Sequence, residues 1–100
     1  MRFEWDRNKE RLNREKHGVG FAEACRAFRD PCALVRFDAK HSALLELRWW
    51  LIGRMGSRIV AVRYTHRPQG VVRIIGAGYW SKARDYYEAY WKTPGSQADL

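Results

Sequence analysis

The stretch from Arg58 to Gly78 constrains the fold more than any other part of the chain. Arg58-Ile-Val-Ala-Val-Arg-Tyr-Thr-His-Arg67 and Val71-Val-Arg-Ile-Ile-Gly-Ala-Gly78 are β-rich runs separated by Pro68-Gln69-Gly70, the pattern of an antiparallel hairpin. Both runs are apolar at most positions on either parity, which predicts central strands covered on both faces. Arg63, Arg67 and Arg73 interrupt them. A guanidinium beside a buried sheet is costly unless it has a partner or an exit to water. An anionic group, from the chain itself or from a ligand, is therefore expected nearby. A one-residue change in the turn flips every side chain of the last strand, so spacing leaves open which of the three arginines share a face.

The other elements follow from local signals. Arg2 to Trp5 alternates as a short strand, and Asp6 is placed to cap a polar helix from Arg7 to Lys16 that Gly18 stops. Phe21, Ala24, Cys25 and Phe28 form the apolar stripe of a second helix, ended by Asp30-Pro31. Ala33 to Phe37 reads as a strand, Asp38 to Ala43 as a loop and Leu47 to Met55 as a strand. Gly56-Ser57 suits a type II′ turn that puts Met55 opposite Arg58. Ser81 is expected to cap a last helix running to about Trp91, with Ala83, Tyr86, Tyr87, Tyr90 and Trp91 as its stripe. The order is β-α-α-β-β-β-β-α: an α+β domain over residues 1–91, with a layer of helices against a twisted antiparallel sheet. A flexible tail is expected over residues 92–100.

Nineteen Lys and Arg against eleven Asp and Glu give a net charge of +8. That excess favours polyanions, RNA or DNA first, although an acidic protein would also fit. Cys25 and Cys32 are too few for a disulfide framework and read as small apolar residues of a reducing cytoplasm. No pair among His17, His41 and His66 has metal-ligand spacing, so neither metal nor cofactor is expected. No apolar run approaches the roughly 20 residues of a membrane span, and the N-terminus has no signal-peptide core.

Phe3-Glu4-Trp5-Asp6, Asn13, Lys16-His17-Gly18-Val19, Phe21, Glu23-Ala24, Phe28 and Asp30-Pro31 together resemble the opening of the BrnT family, toxins of bacterial type II toxin–antitoxin pairs. Arg48-Trp49, Ile52-Gly53, Tyr64-Thr65-His66-Arg67 and Arg73-Ile74-Ile75 extend the likeness to about residue 90. The resemblance implies a RelE-like fold and a metal-independent ribonuclease that slows translation. It also implies a ribbon-helix-helix antitoxin of the BrnA type, which binds the toxin and carries the pair onto operator DNA. Where the family's last strand commonly reads Ile-Ser-Ala-Arg, this chain has Ile75-Gly76-Ala77-Gly78. The missing arginine is among the groups expected to hold the scissile phosphate, which weakens the activity the resemblance implies.

RNA is cut without metal when its 2′-OH attacks the adjacent phosphorus, given proton transfer and positive charge at the phosphate. Arginine suits the last role through its planar fork, so Arg67 and Arg73 are the candidates there. Their structural alternative is salt bridging to Glu4, Glu46 or Glu88. His66 is a candidate acid or base, against the plainer reading of an exposed turn histidine. Lys16, His17, Arg63 and Lys82 are candidate RNA contacts by charge, and Tyr64, Tyr79 and Trp80 by stacking, against the plainer reading that the rings close the sheet edge or anchor the last helix. The rival expectation is a catalytically weak or inactive module of the same fold, which binds its antitoxin and co-represses their operon.

Overall fold

In the computed structural model, which describes residues 1–92, Asp6 starts the first helix as its sequence position predicts. Its carboxylate accepts hydrogen bonds from the N–H groups of Asn8 (2.8 Å) and Lys9 (3.0 Å). Helix α1 (Arg7–His17) ends on Gly18, whose φ of 73° is left-handed and whose N–H bonds to the Arg14 carbonyl. Helix α2 is only Phe21–Ala24; it tightens into a 3₁₀ turn over Cys25–Arg29, so the single helix expected there is divided. Strands β1 (Arg2–Glu4), β2 (Leu34–Phe37), β3 (Arg48–Met55), β4 (Arg58–Arg67) and β5 (Val71–Gly78), with helix α3 (Ser81–Lys92), complete the chain. Met55 pairs with Arg58 across the predicted turn, and Gly56 takes the positive φ that a first-position glycine allows. Ser81 is the first residue of α3 rather than its cap; the Trp80 carbonyl accepts the first hydrogen bonds, from Ala83 and Arg84. The expected tail lies, apart from Lys92 at the end of α3, outside the described residues.

Two expectations need correction. The sheet, ordered β1-β5-β4-β3-β2, is mixed rather than antiparallel, because β1 runs parallel to β5 with Glu4 opposite Arg73. Helices also cover both faces instead of forming one layer. Phe21, Ala24 and Ala27 pack with Leu51, Val60, Val62, Ile74 and Ala77 on one face. Tyr87, with Ala83, Tyr86 and Trp91 of α3, packs on Ile52, Ile59 and Ala61 of the other. Residues 51 and 52, like 60 and 61, alternate across the sheet, which is why both parities of the central strands are apolar. Gly53 is needed where the first layer comes closest, since a Cβ there would meet the Ala27 carbonyl oxygen at 2.8 Å. Burial pushes the Cys25 thiol up to about 11, in keeping with a packing role. Among the described residues, no helix is long and apolar enough to cross a membrane.

Two side chains tie the layers to the sheet. Asn13 on α1 donates from Nδ2 to the Ala77 and Val19 carbonyls (both 2.9 Å) and accepts from the Ala77 N–H (3.2 Å). Its amide thus satisfies both backbone groups of Ala77 on the edge of β5 beyond the end of β1. Asp30 accepts from the Cys32 and Arg54 N–H groups (2.8 Å each) and the Tyr87 hydroxyl (2.7 Å), joining the loop before β2 to β3 and α3. Burial works against charge on Asp30, but these donors hold its carboxyl below the ordinary value.

Asn13→Ala leaves the N–H and carbonyl of Ala77 without their partner. It is expected to lower unfolding free energy by about 1–3 kcal/mol, read as a reduced urea midpoint at constant slope. Asn13→Asp keeps the acceptor but turns a carboxylate oxygen to the two carbonyls, and should lower the midpoint at least as far; an unchanged midpoint for both would show that water replaces the amide.

Candidate functional site

The face of the sheet that carries α3 is covered only in part. Beyond α3 an open cleft of about 720 Å³ runs between the C-terminal end of α1 and the first turn of α3. Asn13, His17, Arg36, Arg63 and Lys82 line it with Trp50, Trp80 and Tyr86, and Ile52, Ala61, Ile75, Gly76 and Ala83 complete the lining. Among the described residues none of this lining is a carboxylate.

A register shift builds the floor. Arg63 pairs with Gly76 but Tyr64 pairs with Ile74, so Ile75 is an extra residue in β5, the geometry of a β-bulge. Beyond the bulge the parity changes. Ile74 and Ala77 both face the buried layer, while Gly76 and Gly78, opposite Arg63 and Ala61, turn to the cleft side. A Cβ on Gly76 would meet only Asn13 Oδ1, at 3.9 Å. The space above Gly78 is filled: a Cβ there would lie 2.6 Å from the indole of Trp80. That ring makes edge contacts with Trp50 (centroids 5.6 Å apart) and His17 (5.2 Å).

The same register puts Arg63, Arg67 and Arg73 on one face, Arg73 lying opposite Thr65 between the other two. Arg63 Nε approaches Asp38 Oδ2 at 3.0 Å, but as an ion pair rather than an aligned hydrogen bond, and its Cζ sits 4.5 Å above the Trp50 ring. Asp38 also receives the His41 backbone N–H and, at 3.0 Å, its Nδ1. Burial opposes the charge on Asp38, but His41 and the Arg63 guanidinium hold its carboxyl below the ordinary 3.8. Arg73 donates to Glu4 Oε2 at 2.6 Å, and Arg67 approaches the same oxygen at 3.9 Å. Glu4 was one of the expected partners. Neither arginine is sealed: their side chains remain 35% and 49% exposed.

Of the predicted contacts, His17, Arg63 and Lys82 meet in the cleft. Lys16 is exposed on α1 but does not line it. Arg67 and Arg73 lie on the same face, outside the lining. His66 does not join them, because strand alternation sends it to the opposite face, where its ring meets Tyr64 at 5.5 Å. Tyr64 itself needs correction as an RNA contact: it is 5% exposed in the core, edge-on to Phe28, and burial raises its hydroxyl pKa. Tyr79 also stays out of the lining, its ring face covered by Arg58 at 3.4 Å. Sequence reasoning missed Arg36, Trp50 and Tyr86. Trp50 and Tyr86 belong to stretches read as apolar packing, and Arg36 carried no signal beyond its charge.

Residues 5–83 match the family model described as the ribonuclease toxin BrnT of a type II toxin–antitoxin system. The crystal structure of the Brucella abortus ribonuclease toxin BrnT superposes with a TM-score of 0.64 and 29% sequence identity, covering 81% of this chain and 97% of that one. Comparison with curated proteins gives no match.

Asp38 gives the site an acid limit. Its folded pKa is lowered, so its ionised form stabilises the fold above the ordinary value of 3.8, and that contribution is lost as pH falls through the lower folded value. Asp38→Asn is expected to destabilise the protein at neutral pH by about 1–3 kcal/mol and to flatten the stability profile below pH 3.8. Urea midpoints measured across that range check both, and parallel profiles for the two proteins would contradict the assignment.

Proposed function

The chain belongs to the BrnT family of ribonuclease toxins from type II toxin–antitoxin systems, and from that premise we propose that the cleft between α1 and α3 cuts RNA without a metal ion. The observation that carries this reading is the lining: Arg36, Arg63, Lys82 and His17 converge beside three aromatic rings, with no acidic side chain among the described lining residues. A polyanion with flat bases matches that combination. The fold we assign is the RelE-like one, working in the cytoplasm.

In this reading the 2′-oxygen attacks phosphorus and the 5′-oxygen leaves, giving a 2′,3′-cyclic phosphate and a 5′-hydroxyl. His17 takes the proton from the 2′-OH, and Lys82, across the cleft, returns one to the leaving oxygen. Arg63 faces the phosphate oxygens as they gain charge. The ion pair with Asp38 and the Trp50 ring hold its guanidinium in place, so little reordering is needed on binding. Arg73 and Arg67 continue the positive track for flanking phosphates. They act in binding rather than at the scissile phosphate, since both lie outside the cleft.

The partner is a BrnA-like ribbon-helix-helix antitoxin, through which the pair reaches operator DNA. Leu44 and Leu45 are 93% and 98% exposed at the tip of a turn closed by two hydrogen bonds between Ala43 and Glu46. Half-exposed Phe37 and Leu47 extend the apolar surface, and Glu46 and Arg67 border it, the Glu46 charge being met by Arg48. An acidic, apolar antitoxin segment suits this patch, which lies apart from the cleft lining. Gly78 favours a second reading, a catalytically weak module retained for antitoxin binding and co-repression, because Trp80 occupies the space that the family's arginine would need.

Purified protein is expected to cleave single-stranded RNA in the presence of EDTA. His17→Ala and Arg63→Ala should each lower the rate by roughly 100-fold, and Arg67→Ala and Arg73→Ala mainly the affinity. Intact RNA together with tight antitoxin binding would select the second reading. Replacing Leu44 and Leu45 together by Asp should weaken antitoxin binding by roughly 30-fold or more and leave the rate of cleavage at saturating RNA unchanged; undiminished affinity in a calorimetric titration would remove the patch from the interface.

A further inference from the structure

Three rings border the cleft, and they are not equivalent. Trp50 has a guanidinium over its ring, Arg63 at 4.5 Å, and Tyr86 has Arg36 at 4.9 Å. Trp80 has no cation over it among the described residues, and it is 38% exposed. It is nevertheless held in place. The indole lies directly on the Gly78 backbone, where even a methyl group would meet it at 2.6 Å, and Trp50 and His17 abut it at 5.6 and 5.2 Å. A large apolar ring, partly uncovered and ordered among phosphate-binding cations, is costly to leave in water but suited to stack a base with little further ordering.

From this arrangement we propose that Trp80 is the stacking platform for one unpaired nucleobase, so that the cleft accepts RNA only where it is single-stranded. The inference rests on the RNA reading of the cleft and deepens it. A duplex hides its base faces inside its own stack, and its phosphates alone could then meet Arg63 and Lys82. Unpaired RNA offers phosphate and base face together, and every base has a π-face to offer. Gly78 belongs to the device: only a residue without a side chain lets the ring lie flat against β5. The plainer role, a cap closing the core beside α3, predicts a loss of stability with no preference among ligands.

The test uses a short 2′-O-methyl oligoribonucleotide, which cannot be cut, as a single strand, as its duplex, and as a single strand with one abasic position moved along it. Fluorescence anisotropy with the wild-type protein should show the single strand bound more tightly than the duplex. Trp80→Ala should lose roughly ten-fold or more in single-strand affinity with a much smaller loss for the duplex, and Trp80→Phe should keep most of it. One abasic position should weaken the wild-type protein and not Trp80→Ala. Gly78→Ala, which displaces the ring, should behave as Trp80→Ala does. Equal losses for single strand and duplex, or indifference of the wild-type protein to every abasic position, would overturn the proposal. Should Trp80→Ala not fold, Trp80→Phe and the abasic series decide alone. Because nothing is cleaved, a stacking protein that leaves RNA intact would sink the nuclease reading and spare this one. A nuclease blind to abasic positions would do the reverse.

Discussion

A strand shows alternate side chains to opposite faces, so a single added residue reverses everything that follows it. Ile75 is that residue here. At constant register β5 would turn Arg73, Ile75 and Ala77 to one side. The bulge instead sets Arg73, Gly76 and Gly78 against Thr65, Arg63 and Ala61. Gly76 then lies under the cleft and Gly78 under the Trp80 ring, and Ala77 returns to the core with its backbone edge available to Asn13. The cleft is open at Gly76 because no side chain rises there, and α1 is clamped beside it. Were the same sequence to run on without the bulge, an alanine methyl would occupy the floor and the glycines would face the core.

The positive charge on that face is held in place by partial neutralisation. Asp38 meets Arg63 and Glu4 meets Arg73, which offsets the cost of placing guanidinium groups on a sheet. Two carboxylates do not balance the face, since Arg36 and Lys82 add to it in the cleft. The buried member of these pairs is Asp38, 6% exposed, whereas Glu4 is 41% exposed. Arg63 is therefore the fixed cation of the set, and the bridges at Glu4, closer to solvent, are weaker and more readily exchanged for phosphate.

Local chemistry made much of the fold legible. Asp6, Gly18, Asp30-Pro31 and Gly56-Ser57 each set an element boundary through groups a few residues away, and the structure uses them so. The errors were non-local. The direction of β1 depends on pairing with a strand 69 residues further on, and the face chosen by α3 depends on which side α2 has already covered. An apolar stripe shows that a helix is buried but not against what. The cleft suffered most: its aromatic side chains read as packing, and a bulge leaves no pattern in a run such as Val71-Val-Arg-Ile-Ile-Gly-Ala-Gly78, apolar on both parities.

The glycine at position 78 and the tryptophan at position 80 make sense only together. Read along the chain, Gly78 is a lost arginine and so a lost phosphate contact. In three dimensions its missing side chain is the seat of an indole that touches His17 and Trp50, and Trp50 in turn carries Arg63 over its ring. A side chain restored at 78 would therefore disturb, through Trp80, both the imidazole and the platform beneath the fixed guanidinium. The charge missing from β5 is supplied around the rim by Arg36, Arg63 and Lys82. What the last strand gives instead is a flat bed for a ring, and in the proposed reading this shifts the burden of recognition at that point from the phosphate to the base.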